Sequence, residues 1–222
     1  MNALVVNVKT YREGTGKDAL ELAKIMEEVG KKYDVKMIMA VQPSDIYMIS
    51  REVDIDIFSQ HMDAIDYGSH TGWILPQAIK EAGAAGTIIN HSEHRMKIED
   101  ISMAMEKARE IGLQTIICAG SVDVAKAVAT LKPDYVAIEP PELIGGDISV
   151  TKAKPDIVKN AVDAVRAIDG SVEVLCGAGI KDGRDVAKAI ELGARGILVA
   201  SGVVKAKDRR AAIEDMASAL IQ

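Results

Sequence analysis

Short apolar runs alternate along the chain with longer segments whose apolar residues recur at helical spacing. Eight runs have the length and branched aliphatic character of buried strands: Ala3–Val8, Lys36–Val41, Asp54–Ser59, Gly86–Asn90, Gln114–Cys118, Asp134–Ile138, Val172–Cys176 and Gly196–Ala200. Amphipathic helices are predicted over Ala19–Lys31, Ile74–Ala82, Ile98–Ile111, Val122–Leu131, Asp156–Ile168, Asp182–Leu192 and Asp208–Leu220, with a shorter one over Pro43–Ser50. Alternating strands and helices predict right-handed crossovers and a parallel sheet.

Eight strand–helix units favour one α/β fold in particular, the closed (β/α)8 barrel. With 222 residues the chain is at the short end for this barrel, so its helices are expected to be trimmed. The alternative is an open doubly wound sheet, which would carry a glycine-rich G-x-G-x-x-G loop after an early strand, whereas Ala3–Val8 is followed by Lys9-Thr10-Tyr11-Arg12. No linker or composition shift is visible, so the sequence predicts a single barrel domain over residues 1–222.

Composition narrows the function classes. The net charge of -6 and the pI near 5.3 argue against nucleic acid or an anionic membrane as the main partner. The sequence contains neither an apolar stretch long enough to span a membrane nor a signal-peptide pattern, so the expected location is cytoplasmic. Cys118 and Cys176 each end a strand-like run, which indicates small buried residues rather than a disulfide framework.

Candidate site residues follow the predicted strands, because the active sites of such barrels lie at the carboxyl ends of the strands. Alternation along the first strand places Asn7 and Lys9 on the same side, where an ammonium group would attract an anion. A solvated surface lysine is the alternative interpretation.

The fourth strand leads into Asn90-His91-Ser92-Glu93-His94-Arg95. A histidine between a strand and a helix start would be kept neutral by the positive end of the helix dipole, which suits a hydrogen-bond donor better than a base. A structural histidine is the alternative, and so is a metal ligand, since His91 and His94 stand three residues apart. With four histidines and no cysteine cluster, the composition gives a metal site little support.

The last three strands add a carboxylate and two small-residue turns. Glu139 directly follows an apolar run. Burying a carboxylate there costs free energy unless it is paired with another group or has a role in the function. Gly177-Ala178-Gly179 and Ala200-Ser201-Gly202 would let backbone N–H groups approach a phosphate. Together with Lys9, these turns predict an anion site.

Five motifs, in order and spanning nearly the whole chain, make the sequence similar to the triosephosphate isomerase family, in particular its shortened archaeal type. They are Asn7-Val8-Lys9, Asn90-His91-Ser92-Glu93-His94-Arg95, Ile138-Glu139-Pro140-Pro141-Glu142-Leu143-Ile144-Gly145-Gly146, Cys176-Gly177-Ala178-Gly179-Ile180 and Gly196-Ile197-Leu198-Val199-Ala200-Ser201-Gly202. Val8 stands where bacterial and eukaryotic members have Trp, a change that resembles archaeal members.

The resemblance implies a role for each matched residue. Glu139 matches the catalytic base, His91 the electrophile and Asn7 with Lys9 the substrate-binding pair, while Glu93 matches an acid that holds Lys9. The pairing of a carboxylate base with a neutral histidine is a known feature of this family and is implied by the resemblance alone. Phosphate-contacting positions, largely backbone N–H groups, match Ile144, Gly145, Gly179, Ala200 and Ser201. The implied reaction interconverts D-glyceraldehyde 3-phosphate and dihydroxyacetone phosphate without cofactor or metal, under a loop over 139–146 that closes on the phosphate.

Two other functions stay open at this point. A metal-dependent phosphosugar epimerase on the same barrel is suggested by His61-Met62-Asp63, and a non-catalytic phosphometabolite sensor would bind phosphate without needing Glu139 or His91. The loop from His61 to Thr71 and the exposed-looking Trp73 match the region of subunit contacts in the family. The resemblance therefore implies a homo-oligomer, as a tetramer in the archaeal type.

Overall fold

A computed structural model describes residues 2–140, 151 and 155–221. The predicted phosphate contacts Ile144 and Gly145, and the predicted closing loop beyond Pro140, lie outside the described residues. The strands are β1 Ala3–Asn7, β2 Lys36–Val41, β3 Asp56–Ser59, β4 Gly86–Ile89, β5 Gln114–Ala119, β6 Tyr135–Ile138, β7 Glu173–Cys176 and β8 Gly196–Val199. They are parallel and close in sequence order, with β8 beside β1. The predicted (β/α)8 barrel is confirmed.

Helices follow the strands on the outside of the barrel. Those described are α1 Lys17–Tyr33, α2 Pro43–Ser50, α3 Pro76–Glu81, α4 Ile98–Glu110, α5 Val122–Ala129, α6 Pro155–Ile168, α7 Gly183–Glu191, α8 Ser201–Val204 and α9 Arg209–Leu220. Pro43 and Pro76 occupy first helical positions, where the missing N–H has no intrahelical role. The sequence did not predict α8 or the 3-10 turn Arg12–Gly14, because such short elements carry no periodic pattern.

Strand alternation divides the apolar residues into two cores. Residues inside the barrel form the smaller cluster, which includes Val5, Phe58, Cys118, Ala137 and Leu198. The larger cluster fills the layer between the strands and the surrounding helices. Because side chains alternate along a strand, the inward set continues at the carboxyl ends of the strands, where the polar site residues follow.

The barrel closes where β8 passes β1 at very short range. Ala3 is in register with Gly196, and a Cβ on Gly196 would lie 2.2 Å from the Ala3 carbonyl oxygen. Gly196 also has φ +154°, so a residue without a side chain is needed at this junction.

Among the helices of the described residues, none combines the length and the apolar character that crossing a membrane would require.

Candidate active site

One pocket at the carboxyl ends of the strands brings together the predicted residues that the structure describes. It is lined among others by Asn7, Lys9, His91, Glu139, Gly179, Ala200 and Ser201. These residues stand at, or directly after, the carboxyl ends of β1, β4, β6, β7 and β8, so the closed barrel, rather than sequence proximity, makes them neighbours. Glu93 lies at the edge, in contact with Lys9 and His91.

Lys9 enters the pocket from an unusual backbone conformation. Its φ is +51°, a left-handed value that costs a non-glycine residue roughly 1–2 kcal/mol. The Asn7 side chain accepts a hydrogen bond from the Lys9 backbone N–H at 2.9 Å. The Lys9 ammonium donates to Glu93 Oε1 at 2.8 Å, while the lysine side chain is 14% exposed. A nearly buried cation is thereby fixed at the mouth of the barrel.

His91 is held in its neutral form. Its Nδ1 accepts a hydrogen bond from the Glu93 backbone N–H at 3.2 Å, so the ring proton is on Nε2. Burial lowers the pKa of His91 to about 4, and the nearby Lys9 and Arg95 cations act in the same direction. His91 Nε2 is therefore a donor at neutral pH, and it lies 3.8 Å from Glu139 Oε2.

The predicted cause of this neutrality, the dipole of a helix beginning at His91, was wrong. No helix begins directly after His91. Residues 92–93 form a turn, in which the His94 N–H donates to the His91 carbonyl at 2.8 Å. Helix α4 begins only at Ile98. A macrodipole acts over about one turn. His91 is therefore kept neutral by burial and by the neighbouring cations, not by a helix dipole.

Glu139 is a buried carboxylate, only 4% exposed. Burial raises its pKa to about 7, although a hydrogen bond from the Cys118 thiol and the charges of Lys9 and Arg95 oppose the shift. Within the described part of the chain, Oε2 has no hydrogen-bond partner. A carboxylate in the pocket lining, with a pKa near neutrality and an oxygen that has no hydrogen-bond partner among the described residues, suits a general base.

The far end of the pocket is built from backbone. Gly179 has φ +69°, and Ala200 precedes the four-residue helix α8. A Cβ on Gly202 would lie 3.0 Å from the Ile180 carbonyl oxygen, so the loops after β7 and β8 touch at this point. First-turn N–H groups, such as that of Ser201, have no partner within their helix and attract anions.

The metal-site alternative finds little support in the described residues. His61 Nε2 lies 3.2 Å from Asp63 Oδ1, and the His61 ring stacks on His94 with centroids 4.0 Å apart. Asp63 also accepts a hydrogen bond from the Ile74 N–H at 2.6 Å, which ties the two ends of the intervening loop. In residues 2–140, 151 and 155–221, no group of three or more histidine, cysteine or acidic side chains has the arrangement of a metal site.

Three side chains at the site were not predicted. Tyr11 lines the pocket, its ring 4.0 Å from the Lys205 ammonium. The Cys118 thiol lowers the pKa of Glu139, and Gln60 contacts both Asn7 and Lys9. Strand alternation could have found two of them: Cys118 ends the inward positions of β5, and Gln60 stands two residues after the inward Phe58.

Comparison with known proteins agrees with this geometry. The model of the family described as triosephosphate isomerase matches residues 2–219. The triosephosphate isomerase of Methanothermus fervidus is 51% identical over 213 residues, which cover 96% of each chain. That of Archaeoglobus fulgidus is 49% identical over 99% of each chain, and that of Methanocaldococcus jannaschii is 50% identical over 96% of this chain and 97% of the relative. The chain belongs to the triosephosphate isomerase family.

Proposed function

We propose that this protein is a triosephosphate isomerase of the short archaeal type, acting in glycolysis and gluconeogenesis. It interconverts D-glyceraldehyde 3-phosphate and dihydroxyacetone phosphate. The observation that carries the proposal is the convergence of Glu139 Oε2 and His91 Nε2, 3.8 Å apart, beside the Lys9 ammonium. A base, a neutral donor and a cation in one pocket suit proton transfer next to a carbonyl group.

The chemistry needs only these side chains. Glu139 takes a proton from the carbon next to the substrate carbonyl, and the electron pair of that C–H bond forms the enediolate. His91 Nε2 gives its proton to the former carbonyl oxygen and takes up the proton of the neighbouring hydroxyl, so one O–H bond forms as the other breaks, and Lys9 offsets the developing negative charge. Glu139 then returns the proton to the neighbouring carbon, which completes the isomerisation with no net gain or loss of atoms or electrons.

Substrate binding requires an anion site at the other end of the pocket. The backbone around Gly179, Ala200 and Ser201 supplies N–H groups there, and Asn7 and Lys9 bind the substrate from the opposite side. In the proposal Ile144 and Gly145 add phosphate contacts from the loop that closes over the site. Exclusion of water by that loop would strengthen the electrostatic interactions of the intermediate.

An isomerase assay with glyceraldehyde 3-phosphate, coupled to NADH-dependent reduction of dihydroxyacetone phosphate, tests the function. The wild type should turn over with a chelator present, and Glu139→Gln should lose several orders of magnitude in kcat. The exposed Glu21→Gln is the matched control and should keep full activity. No turnover by the wild type would favour a phosphate sensor, and loss of activity with a chelator would favour a metal-dependent epimerase.

We also infer that the protein assembles into a homotetramer. Large apolar side chains are exposed on two different parts of the surface: Tyr67 and Trp73, 69% and 59% exposed, on the loop after β3, and Ile98 and Val124 on α4 and α5. A tetramer with two kinds of two-fold interface needs two self-complementary surfaces, and exposed apolar patches are typical of such interfaces.

Sedimentation velocity at fixed protein concentration tests the assembly. The wild type should sediment as a tetramer, and Trp73→Ser or Ile98→Lys should each give a smaller species by removing one interface. Ile168→Lys, at another exposed apolar position on α6, is the control and should stay tetrameric. A monomeric wild type would refute the proposal.

We further propose that residues 1–222 form one domain and act in the cytoplasm. The Asn2 side chain donates to the Leu220 carbonyl at 2.7 Å, which joins the two ends of the described chain. A single cooperative unfolding transition seen by both circular dichroism and fluorescence would support one domain. Cys118 and Cys176 are free buried thiols, as is usual in a reducing compartment, and cell fractionation with an antibody tests the location.

A further inference from the structure

Gln60 connects two residues of the proposed site. Its side-chain Nε2 lies 2.8 Å from the backbone oxygen of Lys9, 3.3 Å from Asn7 Oδ1 and 3.3 Å from the Ala40 carbonyl oxygen. Its own backbone N–H donates to the Val41 carbonyl at 3.1 Å, so the residue extends the β3 ladder by one position. An amide NH2 has two protons, and the shortest of the three contacts is the one to Lys9.

Lys9 needs a restraint of this kind. Its left-handed φ of +51° is uncommon for a residue with a side chain and persists only where neighbouring groups determine it. Both polar groups of the Lys9 backbone are held by side chains: the N–H donates to Asn7 Oδ1, and the oxygen accepts from Gln60. The direction in which the lysine leaves the backbone is fixed by these two bonds.

Gln60 also helps to fix which end of the Asn7 amide faces the substrate. Asn7 Oδ1 accepts from the Lys9 N–H and from Gln60 Nε2, two donors on the same side. The oxygen is therefore occupied within the protein, and Nδ2 is the end that can donate to an anionic ligand in the pocket. With Gln60 absent, only the Lys9 N–H would favour this orientation.

We propose that Gln60 is a positioning residue for the isomerisation, acting through Lys9 and Asn7. This inference rests on the proposed function. Gln60 does not touch the reacting atoms; it holds the Lys9 backbone in the conformation that delivers the ammonium and turns the donor end of Asn7 towards the substrate. A small displacement of a catalytic group is costly, so the effect on rate is expected to be large compared with the size of the contact.

A double-mutant cycle with Lys9→Met tests whether Gln60 acts through Lys9. Gln60→Met keeps the length of the side chain and removes its donor, and it should lower kcat/KM by at least about 10-fold in the wild-type background. In the Lys9→Met background the same change should cost clearly less, because only the part of the effect that acts through Asn7 remains. Equal losses in both backgrounds, or activity within about twofold of wild type for Gln60→Met alone, would overturn the proposal.

Two further variants keep the result interpretable. Gln42→Met changes a glutamine after the neighbouring strand β2 whose Nε2 bonds Thr15 Oγ1 at 3.2 Å, and it should leave kcat and KM unchanged. If Gln60→Met does not fold, Gln60→Glu replaces it: the shape is kept, but an acceptor now faces the Lys9 oxygen and Asn7 Oδ1, so at least an equal loss is expected. A fully active Gln60→Glu protein would refute the role.

A structural measurement separates this inference from the proposed function. If the wild type does not isomerise triose phosphates, the function fails, but the conformation of Lys9 can still be read from crystal structures of Gln60→Met or Gln60→Glu. Lys9 leaving the left-handed region supports the positioning role. Lys9 keeping φ near its wild-type value, with Asn7 unturned, contradicts it.

Discussion

Glu139 rests against the backbone of Gly177. A Cβ added at Gly177 would lie 2.5 Å from Glu139 Cγ, closer than real side chains approach, and 3.0 Å from its Cδ. The strands β6 and β7 are neighbours, and the Gly177 N–H donates to the Ile138 carbonyl at 3.0 Å, so neither backbone can move away freely. The position of the proposed base therefore depends on the absence of a side chain at Gly177, directly after the neighbouring strand β7.

Gly177→Ala should move the Glu139 carboxylate without unfolding the protein. A displacement of about 1 Å at a catalytic group costs on the order of 100-fold, so kcat should fall by about that factor or more. Gly170→Ala is the matched control, because a Cβ there meets nothing within 4 Å, and its kinetics should equal those of the wild type. Wild-type kcat for Gly177→Ala would show that the contact does not position Glu139.

The activity should decline on the acid side of neutrality. Burial raises the pKa of Glu139 to about 7, and the proposed base must be ionised. We expect kcat/KM to be constant above this pH and to fall towards tenfold per pH unit below it. His91, with a pKa of about 4, stays neutral over the same range and contributes no second limb. The measurement is kcat/KM between pH 5 and pH 9.

Cys118→Ala identifies the group that titrates. The substrate phosphate also ionises near pH 6 and could produce an acid limb of its own. The thiol of Cys118 lowers the pKa of Glu139 through a hydrogen bond, so its removal should move the midpoint of the profile to higher pH. A midpoint unmoved in Cys118→Ala would assign the limb to the substrate or to another residue.

Glu139→Gln should stabilise the protein at alkaline pH. The pKa of Glu139 is about 7 in the folded protein and 4.5 in the unfolded chain. As the pH rises from 4.5 to 7, the unfolded chain releases this proton first, and the free energy of unfolding of the wild type therefore falls. The neutral glutamine avoids this loss, worth up to about 3 kcal/mol. Urea unfolding at pH 8 and at pH 4.5, at equal protein concentration, measures it; a gain that is equal at both pH values would contradict the assignment.

His91→Gln should reduce the rate more than the binding. Removal of one well-placed donor to a developing oxyanion typically costs about 100- to 1,000-fold in kcat, and KM should change much less because the phosphate contacts lie elsewhere. His94→Gln, three residues away and exposed, is the control and should stay near wild type. A large rise in KM with normal kcat would make His91 a binding residue instead.

Much of the fold and part of the site followed from local patterns. Eight apolar runs separated by amphipathic segments predicted the strand order and the barrel, because each strand and helix carries its own periodicity. The predicted ends of strands and helices differ from the observed ones by up to two residues. The third strand, for example, was predicted to begin at Asp54 and begins at Asp56. The predictions for Ile144 and Gly145 remain predictions.

The sequence by itself determined which chemical groups follow which strand: Lys9 after β1, His91 after β4 and Glu139 after β6. Only the tertiary structure decided their states. The proton position on His91, the raised pKa of Glu139 and the contacts of Gln60 and Gly177 depend on burial and on neighbours far away in the chain. Periodicity describes one element at a time, whereas desolvation and through-space contacts exist only once the barrel has closed.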